Sequence, residues 1–239
     1  MLILAIDTAT PAASAALYRD RVLLSENFFN LTMNHSLTIM PGIDHMLGNC
    51  GLGIKNLSAV AVSIGPGSFT GLRIGLATAK GLCAGAGLPL IAVPTLDILA
   101  HNVVRSPYLV GTLLDARKNE VYMGVYSAVG RFPVPLTKAN ACSPEQFACS
   151  AQALLDAHTS KQIILLGNGV FPYKNVWDQF WGANWLTPAP HLLWPRASAL
   201  ADLASQKYEA GEFEDINRLR PFYIRLSEAE VRLGQGELG

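Results

Sequence analysis

The same order of signals occurs twice along this chain. Leu2 to Ile6 is a short apolar run that ends at Asp7, and Tyr108 to Leu114 is another that ends at Asp115. A tyrosine stands eleven residues after each aspartate, at Tyr18 and Tyr126. Farther on, Ala59 to Ile64 leads into Gly65-Pro66-Gly67-Ser68-Phe69, and Gln162 to Leu166 leads into Gly167-Asn168-Gly169-Val170-Phe171. A G-x-G-x-F after an apolar run is a weak signal alone. Two of them in the same order, roughly a hundred residues apart, point to an ancient duplication. The alternative is two unrelated α/β segments in one chain.

Within the first copy, the turn Thr8-Ala9-Thr10-Pro11 separates the first strand from a second that runs to Tyr18. Asp20-Arg21 then turns into a third, Val22 to Phe28, giving an antiparallel meander. Ile39, Ile43, Met46, Leu47 and Cys50 recur at helical spacing, and Pro41 kinks that helix or sits near its start. Ala59 to Ile64 is a buried strand. A helix over residues 70–84 follows its glycine turn, then a strand over Leu88 to Val93, with Thr95 able to cap the next helix. In the second copy Ser143-Pro144-Glu145-Gln146 opens a helix with a capping box. The reading is an α/β fold made of a β-β-β-α-β-α unit used twice. Residues 1–105 form an N-terminal lobe and 106–239 a C-terminal lobe whose tail packs back. Two similar lobes with a cleft between them are the plan of the actin, sugar kinase and heat-shock ATPase superfamily, a likeness of fold that fixes no function.

Composition narrows the partners. Half of the 239 residues are apolar, 15% are charged, and 18 basic residues balance 18 acidic ones, so the chain is globular and lacks the basic excess of a protein that grips RNA alone. Contact with nucleic acid is therefore expected through a partner. The four cysteines (Cys50, Cys83, Cys142, Cys149) contain no C-x-x-C pair, and Cys83 lies in a small apolar run that reads as core. A reduced cytosol fits them better than a disulfide framework. The apolar N-terminus lacks a basic leader and is interrupted by Asp7, and the stretch from Leu72 to Val93 carries Arg73 and Lys80. Neither reads as a signal peptide or a membrane span, and the expected location is the cytoplasm.

The richest motif is SIGPGSFTGLRIGLATAKGL, Ser63 to Leu82. Glycines at a strand-to-helix turn can bring backbone N–H groups onto a phosphate at the helix N-terminus. The spacing of Gly65, Gly67 and Gly71 matches neither a Walker loop nor a Rossmann loop, and a nucleophile elbow fails because Pro66 and Thr70 replace its glycines. A tight turn is the simpler reading. In the helix that follows, Leu72, Leu76, Ala79 and Cys83 form a core stripe. Gly71, Gly75 and Thr78 line another face, and Gly81 and Gly85 repeat the small spacing. Each helical glycine costs about 1 kcal/mol against alanine, so some backbone must come close there, either the chain's own sheet or a partner's helix. Asp7, Gly65, Gly67 and Arg117 are the weak candidates for a ligand in the cleft. Asp7 can equally be a turn former, and Arg117 either a bidentate grip on phosphate or carboxylate or a solvated turn charge. His35, His45, His101, His158 and His191 show no metal-ligand spacing, and no cofactor is called for.

SIGPGSFTGLRIG (Ser63 to Gly75) resembles the signature of the TsaB (YeaZ) family, as do LAIDTAT (Leu4 to Thr10), Asn34-His35-Ser36, LDARKNEVY (Leu114 to Tyr122) and the tail RPFYIRLSEAE (Arg220 to Glu230). The resemblance covers nearly the whole chain, and the H-x-x-x-H metal motif of the related catalytic subunit TsaD is missing. It implies a non-catalytic scaffold that pairs with a TsaD-like subunit, is joined by a TsaE-like ATPase, and forms homodimers when alone. The complex transfers threonylcarbamoyl from its adenylate to N6 of the adenosine beside the anticodon in tRNAs that read ANN codons. The implied interface lies on the first two helices of the N-terminal lobe. Carried over here, it comprises His35, Ile39, Ile43, Met46 and Leu47, with Gly71, Leu72, Gly75, Leu76 and Ala79. Leu37 departs from the acidic residue often found after the His-Ser pair. Two other classes stay open: a stand-alone nucleotide-using enzyme of the superfamily, and a peptidase. The absence of intact phosphate loops and of any nucleophile signature argues against them.

Overall fold

The computed structural model describes residues 1–31 and 35–225. Among these, the first sheet has the order β3-β2-β1-β4-β5, from β1 (Leu2–Asp7), β2 (Ala13–Arg19), β3 (Val22–Phe29), β4 (Ala59–Ser63) and β5 (Leu90–Val93). β1 is antiparallel to β2 and parallel to β4. The second sheet repeats the plan with β11-β10-β6-β7-β8, from β6 (Leu109–Asp115), β7 (Val121–Ser127), β8 (Val134–Pro135), β10 (Ile163–Leu166) and β11 (Trp185–Leu186), while β9 (Asn140–Cys142) also pairs with β7. Again the first strand, β6, is antiparallel to the next, β7, and parallel to the strand on its other side, β10. Among the described residues six α-helices complete the two units: α1 (His35–Asn49), α2 (Phe69–Ala86), α3 (Thr95–His101), α4 (Pro144–Ala157), α5 (Lys174–Trp181) and α6 (Ala197–Glu209). The α/β fold of two similar lobes is the one expected from the repeated signals.

The alternation of side chains explains the layers. In β1 and β4, Leu2, Leu4, Ile6, Val60 and Val62 face α1 and α2, whereas Ile3, Ala5, Ala59 and Ala61 face α6. Alanines on that second side, met by Ala197, Ala201 and Ala204 of α6, let the helix lie close to the sheet. In the second sheet Leu109, Leu113 and Val125 pack on α4 and α5, around Phe147, Trp177 and Trp181. Val110, Leu114 and Tyr126 pack on Leu96, Leu99 and Ala100 of α3. The last helix of each half therefore roofs the sheet of the other half. The 105/106 boundary divides the sequence, but the packing crosses it.

The two tyrosines that marked the repeat serve this exchange. Tyr18 on β2 donates its hydroxyl to Asp202 of α6, and Tyr126 on β7 donates to Asp97 of α3, each at 2.7 Å. Burial is the largest effect on both phenols and raises them well above their ordinary range. Asp202 also accepts from Arg131 at 2.9 Å and meets His101 Nε2 at 3.0 Å, which holds its carboxyl far below the usual range. At the N-terminus of α6, Glu26 of β3 takes Arg196 and the Ser198 amide, supplying a carboxylate to a helix start that has no side-chain cap of its own.

Local expectations meet mixed outcomes. Ser143 and Gln146 form the reciprocal capping box. Thr95 is not a cap: Pro94 holds that position, and Thr95 is the first helical residue with its hydroxyl buried and unpartnered. Pro41 lies inside α1 on its exposed side, where water can satisfy the carbonyl its missing N–H leaves free. No helix among the described residues is long and apolar enough to cross a membrane.

Candidate functional site

The residues named as candidates for a cleft lie at or just after strand ends. Asp7 closes β1 beside Ser63, the last residue of β4, and is completely buried. Neither carboxyl oxygen makes a hydrogen bond of ordinary geometry, and the hydroxyls of Ser63 and Thr95 are likewise buried without partners. Desolvation raises the Asp7 carboxyl to about 6, with the Ser63 hydroxyl and the Ala9 amide opposing it. The glycine loop beside it is occupied by the chain itself. The Ser68 amide, at the N-terminus of α2, donates to the Ala9 carbonyl at 2.7 Å, and the Gly71 amide donates to Ser68 Oγ at 3.2 Å. A Cβ on Gly67 would overlap the Ala9 carbonyl, and one on Gly71 the Thr8 carbonyl. Gly65 turns at φ +112° and gives its carbonyl to the Thr95 amide at 2.9 Å. These glycines let α2 abut the end of β1, as the tight-turn reading expects.

The second lobe repeats the device: a Cβ on Gly167 would overlap the Leu113 carbonyl, which also accepts from the Gly169 amide at 3.0 Å. Arg117 lies in the β6–β7 turn with its side chain 87% exposed. Its amide donates to Asp115 Oδ1 at 2.8 Å and its guanidinium stands 3.7 Å from the same carboxylate.

On the helices, most of the residues named for an interface lie inside the chain's own core. Ile39, Ile43, Met46 and Leu47 are buried against the first sheet, and so are Leu76 and Ala79, while Leu72 is buried beside the Gly65 turn. Gly75 accommodates the Thr8 hydroxyl, which donates to the Gly71 carbonyl at 2.7 Å. His35 is held inward by the Thr10 carbonyl at 2.9 Å from Nε2. The apolar spacing had identified the inner faces correctly, but those side chains are used in the protomer's own core. The exposed apolar and small residues of these helices include Leu37 (69% exposed), Met40 (40%) and Pro41 on α1, with Ala77, Gly81, Ala84 and Gly85 on α2, beside the polar Asp44, His45, Asn49 and Arg73. A Cβ on Gly48, Gly81 or Gly85 would meet nothing.

Comparison with known proteins supplies the lineage. A family model described as "TsaD: tRNA N6-adenosine threonylcarbamoyltransferase" matches residues 29–231. The tRNA threonylcarbamoyladenosine biosynthesis protein TsaB of Bacillus subtilis is 33% identical over 97% of both chains, and that of Escherichia coli is 31% identical over 98% of both. The chain belongs to the TsaB family. YeaZ from Pseudomonas aeruginosa superimposes with a TM-score of 0.79 at 27% identity, covering 93% of this chain and 99% of that one.

Of the TsaB motifs noted in the sequence, Asn34 and Leu226 to Glu230 lie outside the described residues. The described part of the tail runs along α2. Lys80 Nζ donates to the Leu219 carbonyl at 2.8 Å, the Phe222 amide to the Ile64 carbonyl at 2.7 Å, and Arg73 Nε to the Tyr223 hydroxyl at 3.1 Å. Tyr223 stacks on Phe69 with centroids 5.0 Å apart, Arg73 lies 3.7 Å from the same Phe69 centroid, and Arg225 pairs with Glu120 of the second lobe. These tail contacts join residues too distant in sequence for any periodicity to link. The outer glycines were legible, since Gly81 and Gly85 had no place in the core stripe.

Proposed function

We propose that this TsaB-family chain is the non-catalytic partner subunit of the assembly that makes threonylcarbamoyladenosine in ANN-decoding tRNAs. It activates a TsaD-like catalytic subunit, works with a TsaE-like ATPase in the cytoplasm, meets tRNA at working salt only within the complex, needs no cofactor, and pairs with itself when alone. One observation carries this reading. At the first glycine loop the Ser68 amide is used by the chain's own β1–β2 turn and the Gly71 amide by the Ser68 hydroxyl, while the outer faces of α1 and α2 expose apolar and small residues among polar ones. Those outer faces, Leu37, Met40, Ala77, Gly81 and Gly85, are the proposed contact with the partner. Arg117 is proposed as a charged contact of the complex rather than a cleft ligand.

Sedimentation of the chain with the TsaD-like protein of the same organism tests the pairing, and tRNA modification by reconstituted subunits tests activation. Separate sedimentation of the two proteins, or full modification without this chain, sinks the proposal. A second reading, a nucleotide-using enzyme, draws support from the unpaired carboxyl of Asp7 beside the Ser63 and Thr95 hydroxyls. Turnover of ATP by the pure chain, abolished in Asp7→Asn, would favour it. We expect none.

A further inference from the structure

Beside the proposed partner face lies a strip of positive charge that has few carboxylate partners among the described residues. α2 carries Arg73 and Lys80 and no acidic residue, and the tail from Ile216 to Arg225 carries Arg218, Arg220 and Arg225 and no acidic residue. Arg218 is paired with Asp215 and Arg225 with Glu120. Arg73, Lys80 and Arg220 have no carboxylate partner among the described residues: Arg73 bonds a tyrosine hydroxyl and the other two bond backbone carbonyls. Lys80 Nζ and Arg220 Nη1 even share one acceptor, the Leu219 oxygen, at 2.8 and 3.0 Å. Two like charges held on one neutral oxygen repel each other, and an anion laid across them would relieve that repulsion. Arg73 stands two turns along the same helix from Lys80, about 10 Å at 1.5 Å per residue, so the strip is extended. Phe69 and Tyr223 stack beside Arg73, and Phe222 is 43% exposed. In a chain with 18 basic and 18 acidic residues, this is a local excess of positive charge interleaved with aromatic rings.

We propose that Arg73, Lys80 and Arg220 form a contact for the phosphate backbone of RNA, and, on the function proposed above, of the tRNA being modified. A single phosphate would need only the Lys80–Arg220 pair; the extension to Arg73 and the flanking rings fit a strand.

The test is binding of a labelled tRNA transcript across a salt series, both by the complex with the TsaD-like subunit and, at low salt, by the full chain alone. Lys80→Gln/Arg220→Gln is compared with wild type and with Lys174→Gln on the other lobe. The double variant should weaken binding of every tRNA alike and lower the slope of log K against log salt by about 2, with Lys174→Gln unchanged. Lys80→Arg/Arg220→Lys, which keeps the charge, should restore the slope. Thermal melts establish that each variant folds, and sedimentation reports subunit pairing separately. If wild-type subunits do not pair, the proposed function fails while the chain-alone series still decides the strip. An unchanged slope, a slope not restored by the charge-keeping variant, or no tRNA binding by wild type overturns the proposal. So does a loss confined to subunit pairing, which would place an acidic protein surface on the strip.

Discussion

Asp7 gives the clearest physical signature at the scale of single residues. Its folded carboxyl is raised to about 6, above an unfolded value near 4. The folded state therefore holds the proton more tightly, and this contribution to stability is complete below about pH 4 and lost as pH rises through about 6. The shift corresponds to about 3 kcal/mol at full ionisation. Asp7→Asn should raise stability at pH 7.5 by about 1–3 kcal/mol, with the gain fading as pH falls from about 6 to about 4, as checked by thermal melts over a pH series. Asp202, whose carboxyl is lowered by His101, Tyr18 and Arg131, acts in the opposite sense, so the comparison must be variant against parent. The Thr8–Gly75 contact is a second single-residue test. Gly75→Ala places a methyl on the Thr8 hydroxyl and should cost about 1–3 kcal/mol. In the Thr8→Ala background the added cost should be smaller, because the clashing oxygen is gone; a strictly additive cycle by denaturant unfolding would rule this contact out.

For secondary-structure elements, α2 carries the argument, because its faces have different jobs. The stripe Leu72, Leu76, Ala79 and Cys83 is core, the face with Gly71 and Gly75 abuts the end of β1, and the face with Ala77, Gly81 and Gly85 is open. A bulky residue distinguishes the last two. Gly75→Trp should prevent folding, whereas Gly81→Trp should melt near the parent temperature yet weaken homodimer and TsaD-like pairing at least tenfold. Sedimentation beside the melt reads both, and unchanged pairing in Gly81→Trp would move the partner face off this helix. The periodicity of α1 and α2 made the inner stripes legible. Which glycine met its own chain was not, because the answer depends on where the β1–β2 turn stands when the helix lies on the sheet.

On the scale of the whole molecule, the exchange of roofs matters most. Because α6 covers Ile3, Ala5, Ala59 and Ala61, residues 1–105 by themselves would leave one face of the first sheet bare. Burying a Leu or Ile side chain is worth about 1.5–3 kcal/mol, and α6 supplies two leucines and four alanines to that face among its buried apolar side chains. A chain of residues 1–105 should therefore lack dispersed amide resonances and cooperative unfolding. A stable, cooperatively folding 1–105 would show that the roof is dispensable.

The sequence alone determined the two-unit plan, since strand and helix periods, turn residues and the twofold G-x-G-x-F are local or repeated signals that need no knowledge of the partner element. It also carried the tyrosines that mark the repeat and the capping box at Ser143. It did not determine that Tyr18 would seek Asp202 and Tyr126 Asp97, that the first helix pair would bury the side chains chosen for a partner, or that the tail would gather Lys80 and Arg220 on one carbonyl. The Tyr126–Asp97, Lys80–Leu219 and Tyr18–Asp202 bonds span 29, 139 and 184 residues, and chain connectivity sets no distance between such groups until the sheets and helices are packed. Hydrophobic spacing identifies a face that must be buried; only the tertiary structure decides whether its own sheet or another molecule does the burying.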